Sequence, residues 1–485
     1  SANGNIDITA AEAKGGIELK TTNGKLTAEA LQAKGSIAAA GKDVEMKKVI
    51  AEKDLTLTAA NSLTTEAEIS AEQNMKLTGG DVTTQKEVKA GSNLTLTAAN
   101  SLKATDKLTA GGNIAASSAN GNIDIAAAEA KGGIDLNVTN GKLTAEVLQA
   151  QGSIEAAGKD VEIKQQVNAG KDLTMTAANS LTAADKLTAG GNIAASSANG
   201  NIDITAAEAK GGIDIKATNG TLTVEVLQAK ANIVAAGKDV AMKQATAGNN
   251  LMLTATNSLT VQETLEAGGL VSASQIGGNG DITLRNVKAG SFYAEHSGKG
   301  DLRADDVYSH RVGFVHHEGV GDIRLDKMQV GHIARIRHTG TGDIFTRYLL
   351  AGREAHFLNR DGGMDLGFVD GGRRLTILDL SKQAKVRANV LRAGELLTIF
   401  SLHQEIDQFD TPTLLDLILA GDQTRQAVGW RGAAELGSLF ETYWRRYEPL
   451  GAESFIDLRS WERTFAESVQ ANAAGEEAVT IGEDA

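Results

Sequence analysis

Along the first 280 residues, apolar and polar positions alternate in short runs, as in Asn5-Ile6-Asp7-Ile8 and Asp54-Leu55-Thr56-Leu57. Alternation over four to six residues marks a strand with one buried face. The runs are separated by Ala-Asn-Gly, Ala-Gly-Lys-Asp or Ala-Ala-Asn-Ser, whose Gly, Asn and Asp tolerate left-handed turn conformations. An amphipathic helix needs an apolar stripe at three- and four-residue spacing, and these breaks interrupt every such window. The apolar anchors Ile6, Leu26, Val44, Leu63, Val82, Leu102 and Ile123 stand 18 to 21 residues apart. A second series, Ile17, Ile37, Leu55, Met75, Leu94 and Ile114, runs between them. The pattern predicts coils of about 20 residues, each with two or three strands, stacked with parallel strands roughly 4.8 Å apart.

A longer repeat lies over the short one. The segment that opens Ser1-Ala-Asn-Gly-Asn-Ile-Asp-Ile returns at Ser118 and at Ser197, offsets of 117 and 79. LTAEALQAKGSI from Leu26 returns as LTAEVLQAQGSI from Leu143 and LTVEVLQAKANI from Leu222. AEKDLTLTAANSL from Ala51 and AGSNLTLTAANSL from Ala90 are 39 apart, about two coils. Duplication by whole coils lengthens a solenoid without disturbing its packing. The expected fold is therefore all-β: a right-handed parallel β-helix, or solenoid, of roughly twenty coils and on the order of 100 Å. Its hand follows the general rule for parallel crossovers.

The composition changes near residue 285. Before Arg285 there is no Arg, His, Pro or aromatic residue, and all eight His and all eighteen Phe, Tyr and Trp lie after residue 290. Here Gly-Gly-Asn-Gly-Asp281-Ile, Gly-Lys-Gly-Asp301-Leu, Gly-Val-Gly-Asp322-Ile and Gly-Thr-Gly-Asp343-Ile recur every 20 or 21 residues, with a degraded copy at Asp365. Five residues before three of these Asp stand His296, His317 and His338, which stacking would place in one column. After residue 400 the strand pattern fades. Segments from Thr413, Gly432 and Phe455 read as amphipathic helices, which suit a cap on the open end of a solenoid. The expected divisions are 1–277 and 278–400, both β-helical, then 401–470 as a small helical C-terminal cap and 471–485 as a disordered acidic tail.

Composition narrows the function classes. Only 4% of residues are aromatic and two are Pro, while 54 are Gly, which suits a narrow layered interior of Ala, Val, Ile and Leu. With no Cys, thiolate chemistry and disulfides are excluded. A net charge of −13 argues against a nucleic-acid partner. No apolar run approaches the length of a membrane span. Ser1 opens inside a repeat with no initiator Met or leader, so a piece of a longer chain is expected.

The recurring Gly-Lys-Asp-Leu-Thr-Leu-Thr-Ala and Gly-Gly-Asn-Ile-Ala-Ala units resemble the repeats of filamentous-haemagglutinin-like adhesins, large exoproteins of two-partner secretion. The resemblance covers residues 1–280 well and 281–400 more loosely. It implies a secreted protein of the bacterial outer cell surface, exported through an outer-membrane barrel partner and acting in adhesion or biofilm. The family's N-terminal secretion domain and a C-terminal toxin motif are not apparent.

Candidate chemistry is sparse, and no catalytic, cofactor-binding or metal-ligating residue is assigned. The Gly-x-Gly-Asp copies recur every 21 residues with one Asp each, whereas calcium β-rolls repeat every nine, so a structural turn is expected. The histidine column invites a metal, yet ladders of like residues are the simpler reading. His316 and His317 are neighbours on a strand and should point to opposite faces. A polysaccharide-cutting enzyme of the same fold would need clustered carboxylates and a base, for which only Arg373 and Arg374 near Asp370 and Asp379 qualify; a solvated face explains them equally. The paired Thr of the Leu-Thr-Leu-Thr runs occur on too few coils for an ice-matching array, and Thr suits an exposed strand face. If a ligand surface exists, Phe292, Tyr293, Tyr308, Arg335, Arg337 and Tyr348 are the candidates for contact with a surface glycan or protein, with packing beneath a cap as the alternative. The expected role is a structural and adhesive rod, and its rival is a subunit of a head-to-tail filament built from further copies of the chain.

Overall fold

A computed structural model describes residues 3–381, 385–401, 404–410 and 415–416. The chain divides into two compact units, Ser1–Ala420 and Gly421–Ala485. The second unit lies outside the described residues, and with it the segments from Gly432 and Phe455 expected to be helical and the acidic tail.

The described part of the first unit is a parallel β-solenoid of about 20 turns, built entirely of strands. Each coil presents three faces to the interior. In the first described coil, the strand Ile6–Ala13 bends after residue 8 to supply the first and second faces, and Ile17–Lys20 supplies the third. The next coil stacks directly on it, with Ile6 opposite Leu26, Ala11 opposite Leu31 and Ile17 opposite Ile37. The same three-way register then runs to Val386–Arg392, Leu396–Phe400 and Gln404–Asp410. Of the two anchor series in the sequence, the Ile6 series forms the first face and the Ile17 series the third. The second face, with Ala11, Leu31, Val49, Ile69 and Val88 inward, has no separate anchor motif: in most coils its strand runs on from the first, and in others it is a three-residue piece such as Ile69–Ala71 or Val88–Ala90.

Alternation explains the core. Inward residues such as Leu26, Leu31, Ile37, Leu55, Leu57 and Leu77 are fully buried, while Thr, Lys and Asp alternate outward. Small Ala and Gly between them let opposing faces approach closely at interior packing density. Strands persist beyond residue 400: Gln404–Asp410 pairs with Val386–Arg392, and Leu415–Asp416 pairs with Leu397–Thr398. The ladder thus extends into the region from Thr413 that the pattern assigned to a helix, because backbone pairing continues where the apolar alternation weakens.

The corner between the third face and the next coil varies in length, and one inward column registers it. Where the next first-face anchor follows three residues on, the column holds Gly: Gly41 before Val44, Gly79 before Val82, Gly158 before Val161, Gly237 before Val240. Where it follows four on, the column holds Ala, as in Ala59 before Leu63 and Ala98 before Leu102. With five, the column varies: Thr21, Ser118 and Ser197 appear beside Val138, Ala217 and Asn359. With six, the residue is His: His296 before Leu302, His317 before Ile323 and His338 before Ile344. A three-residue corner folds back onto the column, so a Cβ on Gly79 would lie 2.7 Å from the Asp81 carbonyl oxygen. A longer corner leaves a space that a larger side chain fills and hydrogen-bonds.

Candidate functional site

The aromatic, Arg and His side chains of the second region fall into three groups according to the pleat. Phe292 points inward and is 1% exposed, packed in the core. It cannot contact a ligand, because strand alternation turns it away from solvent. Gly313 stands opposite it on the next coil, where the absent side chain leaves room for Met328 and Val330.

Tyr293 is the outward neighbour of Phe292. It stacks on Phe314 at 5.2 Å between ring centroids and donates to Glu295 Oε2 at 2.7 Å. Register continues that outward row through Arg335 to His356. A second row beside it carries Glu295, His316, Arg337 and Leu358. His316 Nδ1 lies 3.6 Å from Glu295, and its Nε2 is 3.2 Å from Thr339 Oγ1. The interaction with His316 holds the Glu295 carboxyl below its usual range, against the opposing effect of burial. Glu354 is lowered likewise by His356, 3.2 Å away. These outward side chains pack closely: Tyr293 is 8% and Leu358 5% exposed.

Tyr308 and Tyr348 belong elsewhere, on the outer side of the strands Leu302–Ser309 and Ile344–Ala351. Tyr308 is exposed and meets His310 edge-on at 5.0 Å. Tyr348 stacks on Phe368 at 5.2 Å, and nearby Arg324 lies 4.5 Å over the Phe345 ring, a favourable cation–π geometry. The six residues singled out in the sequence therefore form no single surface. Tyr293, Arg335 and Arg337 share one face, Tyr308 and Tyr348 another, and Phe292 neither. Phe314, Glu295, His316 and His356 belong to the first group and were missed. Aligning the 21-residue period would have placed Phe314 beside Tyr293 and Arg335.

The inward column carries His296, His317 and His338, all fully buried and stacked at 4.4 and 4.8 Å between centroids. Each ring Nε2 meets a corner carbonyl of the preceding coil: Gly280 at 2.9 Å, Gly300 at 2.7 Å and Gly321 at 2.6 Å. An acceptor there requires the Nε2–H tautomer. Nδ1 of His296 and of His317 then accepts the backbone N–H of Gly298 at 3.3 Å and Gly319 at 3.0 Å. Both nitrogens of these two rings are thus engaged by backbone, leaving no lone pair for a metal. Among the described residues no group of three or more His, Asp or Glu is placed to hold a metal ion. Burial depresses all three imidazoles, His317 to about 4. Asn359 continues the column and donates to the Gly342 and Gly363 carbonyls.

The Gly-x-Gly-Asp corners are structural turns. Asp281, Asp301 and Asp322 each accept the backbone N–H of the next Asp in the column, at 2.8 to 2.9 Å, and Asp343 accepts that of Gly363. Gly300, Gly321 and Gly342 have positive φ, which a side chain there would strain. Arg373 and Arg374, weighed with Asp370 and Asp379 as the one possible catalytic cluster, do not converge on them. Arg373 lies near Glu395 and Arg374 near Glu354, while Asp379 is buried and accepts from Ser381 and Ser401. Compared with known families, curated proteins and solved structures, the chain matches no family model, no curated protein and no solved structure.

Proposed function

We propose that this chain is an extracellular structural and adhesive rod of a bacterial surface exoprotein, with a right-handed coil and a small helical segment toward its C-terminal end. The reading is carried by the uninterrupted in-register ladder, in which whole multi-coil segments return with their packing columns aligned. Such an array spends its residues on stacking and keeps its outward rows free to vary. The repeats' resemblance to filamentous-haemagglutinin-like adhesins supports secretion through an outer-membrane barrel partner and a place on the cell surface. In this reading the outward aromatic and Arg side chains of the second region meet a surface glycan or protein. Tyr308, Tyr348 and Phe368 form the more open of its two candidate faces.

Negative-stain electron microscopy of the chain at low and high concentration tests the rod. Separate rods of about 100 Å at both concentrations support it, and compact particles overturn it. Long unbranched fibres at high concentration would replace adhesion by self-assembly. For the ligand surface, binding to bacterial and host cells is compared between the chain and a Tyr308→Ala/Tyr348→Ala variant. Equal binding by both would remove that face from the proposal.

A further inference from the structure

No coil before it places a histidine in this column, and the hydrogen bonding of His296 and His317 works in one charge state only. Nδ1 of His296 and His317 accepts a backbone N–H. A proton placed on that nitrogen would set two donors against each other and break the contact. It would also put cations 4.4 to 4.8 Å apart in a buried stack. Facing the column are Asp281, Asp301, Asp322 and Asp343 around the corners and His316 on the outer side. The first and second faces turn apolar side chains inward in these coils, including Leu302, Val307, Ile323 and Met328.

We propose that His296, His317 and His338 form an acid-operated latch on the corners at residues 276–281, 297–301 and 318–322. Neutral, the rings hold these corners shut; protonated, they release them, while the histidine-free coils before residue 276 stay closed. The direction follows from linkage. A buried imidazole that binds its proton more weakly in the folded than in the open state loses stability as pH falls from the ordinary 6.5 toward about 4. Neighbouring coils supply the control, because Gln275 and Asn359 occupy the same column and donate to corner carbonyls without titrating.

Hydrogen exchange of the full chain between about pH 7 and pH 4, corrected for the intrinsic rate, tests the latch. The corner amides, including those of Gly298 and Gly319, should exchange about tenfold faster in acid, the factor one pKa unit carries. Amides of residues 26–260 should keep their protection, and the change should reverse on neutralisation. In a His296→Gln/His317→Asn/His338→Asn variant the acid response should vanish. If the variant still opens, the Asp ladder is responsible and the latch falls. Equal acid loss in both regions overturns it too. Should the variant fail to fold, nitrogen NMR of the unaltered chain decides: three Nε2–H imidazoles that titrate well below 6.5 are expected, and ordinary titration of these rings rejects the proposal.

Discussion

The coils before residue 276 and those after it share one backbone plan but close their third corner differently. In the first region the corner is short and the inward column is Gly, Ala, Ser, Thr or, once, Val138. Where a hydroxyl is present it reaches a corner carbonyl of the preceding coil: Thr21 Oγ1 donates to Gly4 at 2.7 Å and Ser118 Oγ to Asn100 at 2.6 Å. In the second region the corner lengthens to six or seven residues at Gln275 and the three His, which make the same bond across a wider gap, and returns to five at Asn359, which keeps it. The residue type therefore follows the space the corner leaves and the carbonyl that must be satisfied. Buried polar backbone must find a partner in either region. A histidine ladder that suggests metal chemistry is, in this light, the long-corner counterpart of a serine.

Exchanging column residues between regions should show the largest effect. Gly79→His forces an imidazole into a three-residue corner and should cost about 4 kcal/mol through overpacking and an unsatisfied polar ring. Denaturant unfolding monitored by hydrogen exchange in the surrounding coils measures it. A tolerated histidine there would break the link between corner length and side-chain size. His317→Ala removes one donor, one acceptor and a stacked ring, and about 3 kcal/mol of local stability should be lost. Ser118→Ala does the same job at smaller scale. It should cost about 1 kcal/mol, the net value of one hydrogen bond, and a cost equal to that of His317→Ala would erase the distinction between regions. The smallest effect is expected at the exposed ion pairs of the first region. Lys47→Ala, which breaks the 2.9 Å contact with Glu29, should leave the denaturant midpoint unchanged at physiological and high salt, because solvent and ions screen an exposed pair.

The coil length, two of the three faces and the histidine column were legible because each rests on strict periodicity. His317 inward and His316 outward follow from alternation alone. The second face was hidden because no glycine separates it from the first, whether the strand runs on or is interrupted, as at residues 66–68. The ligand candidates were less legible: Phe292 and Tyr293 are adjacent aromatics, and only the pleat phase, fixed by Val271 and Ala294 beside them in the core, assigns one inward. Residues paired across coils, such as Tyr293 with Phe314, lie 21 apart in sequence and emerge only when the period is applied to the outward positions as well as to the Asp and His columns. Strand pairing past residue 400 was missed because Gln404–Asp410 is mostly polar.

Residues 98–118 and 177–197 differ at two positions only, Lys103 against Thr182 and Thr105 against Ala184. They also begin their coils at the same point of the same four-residue corner, Ala98 before Leu102 and Ala177 before Leu181. A crossover between the two stretches of coding sequence would insert or excise 79 residues, which is four complete coils, and would rejoin every column in phase. Length in such a protein is therefore a heritable quantity that can change in whole-coil steps within one generation, with no new core to invent.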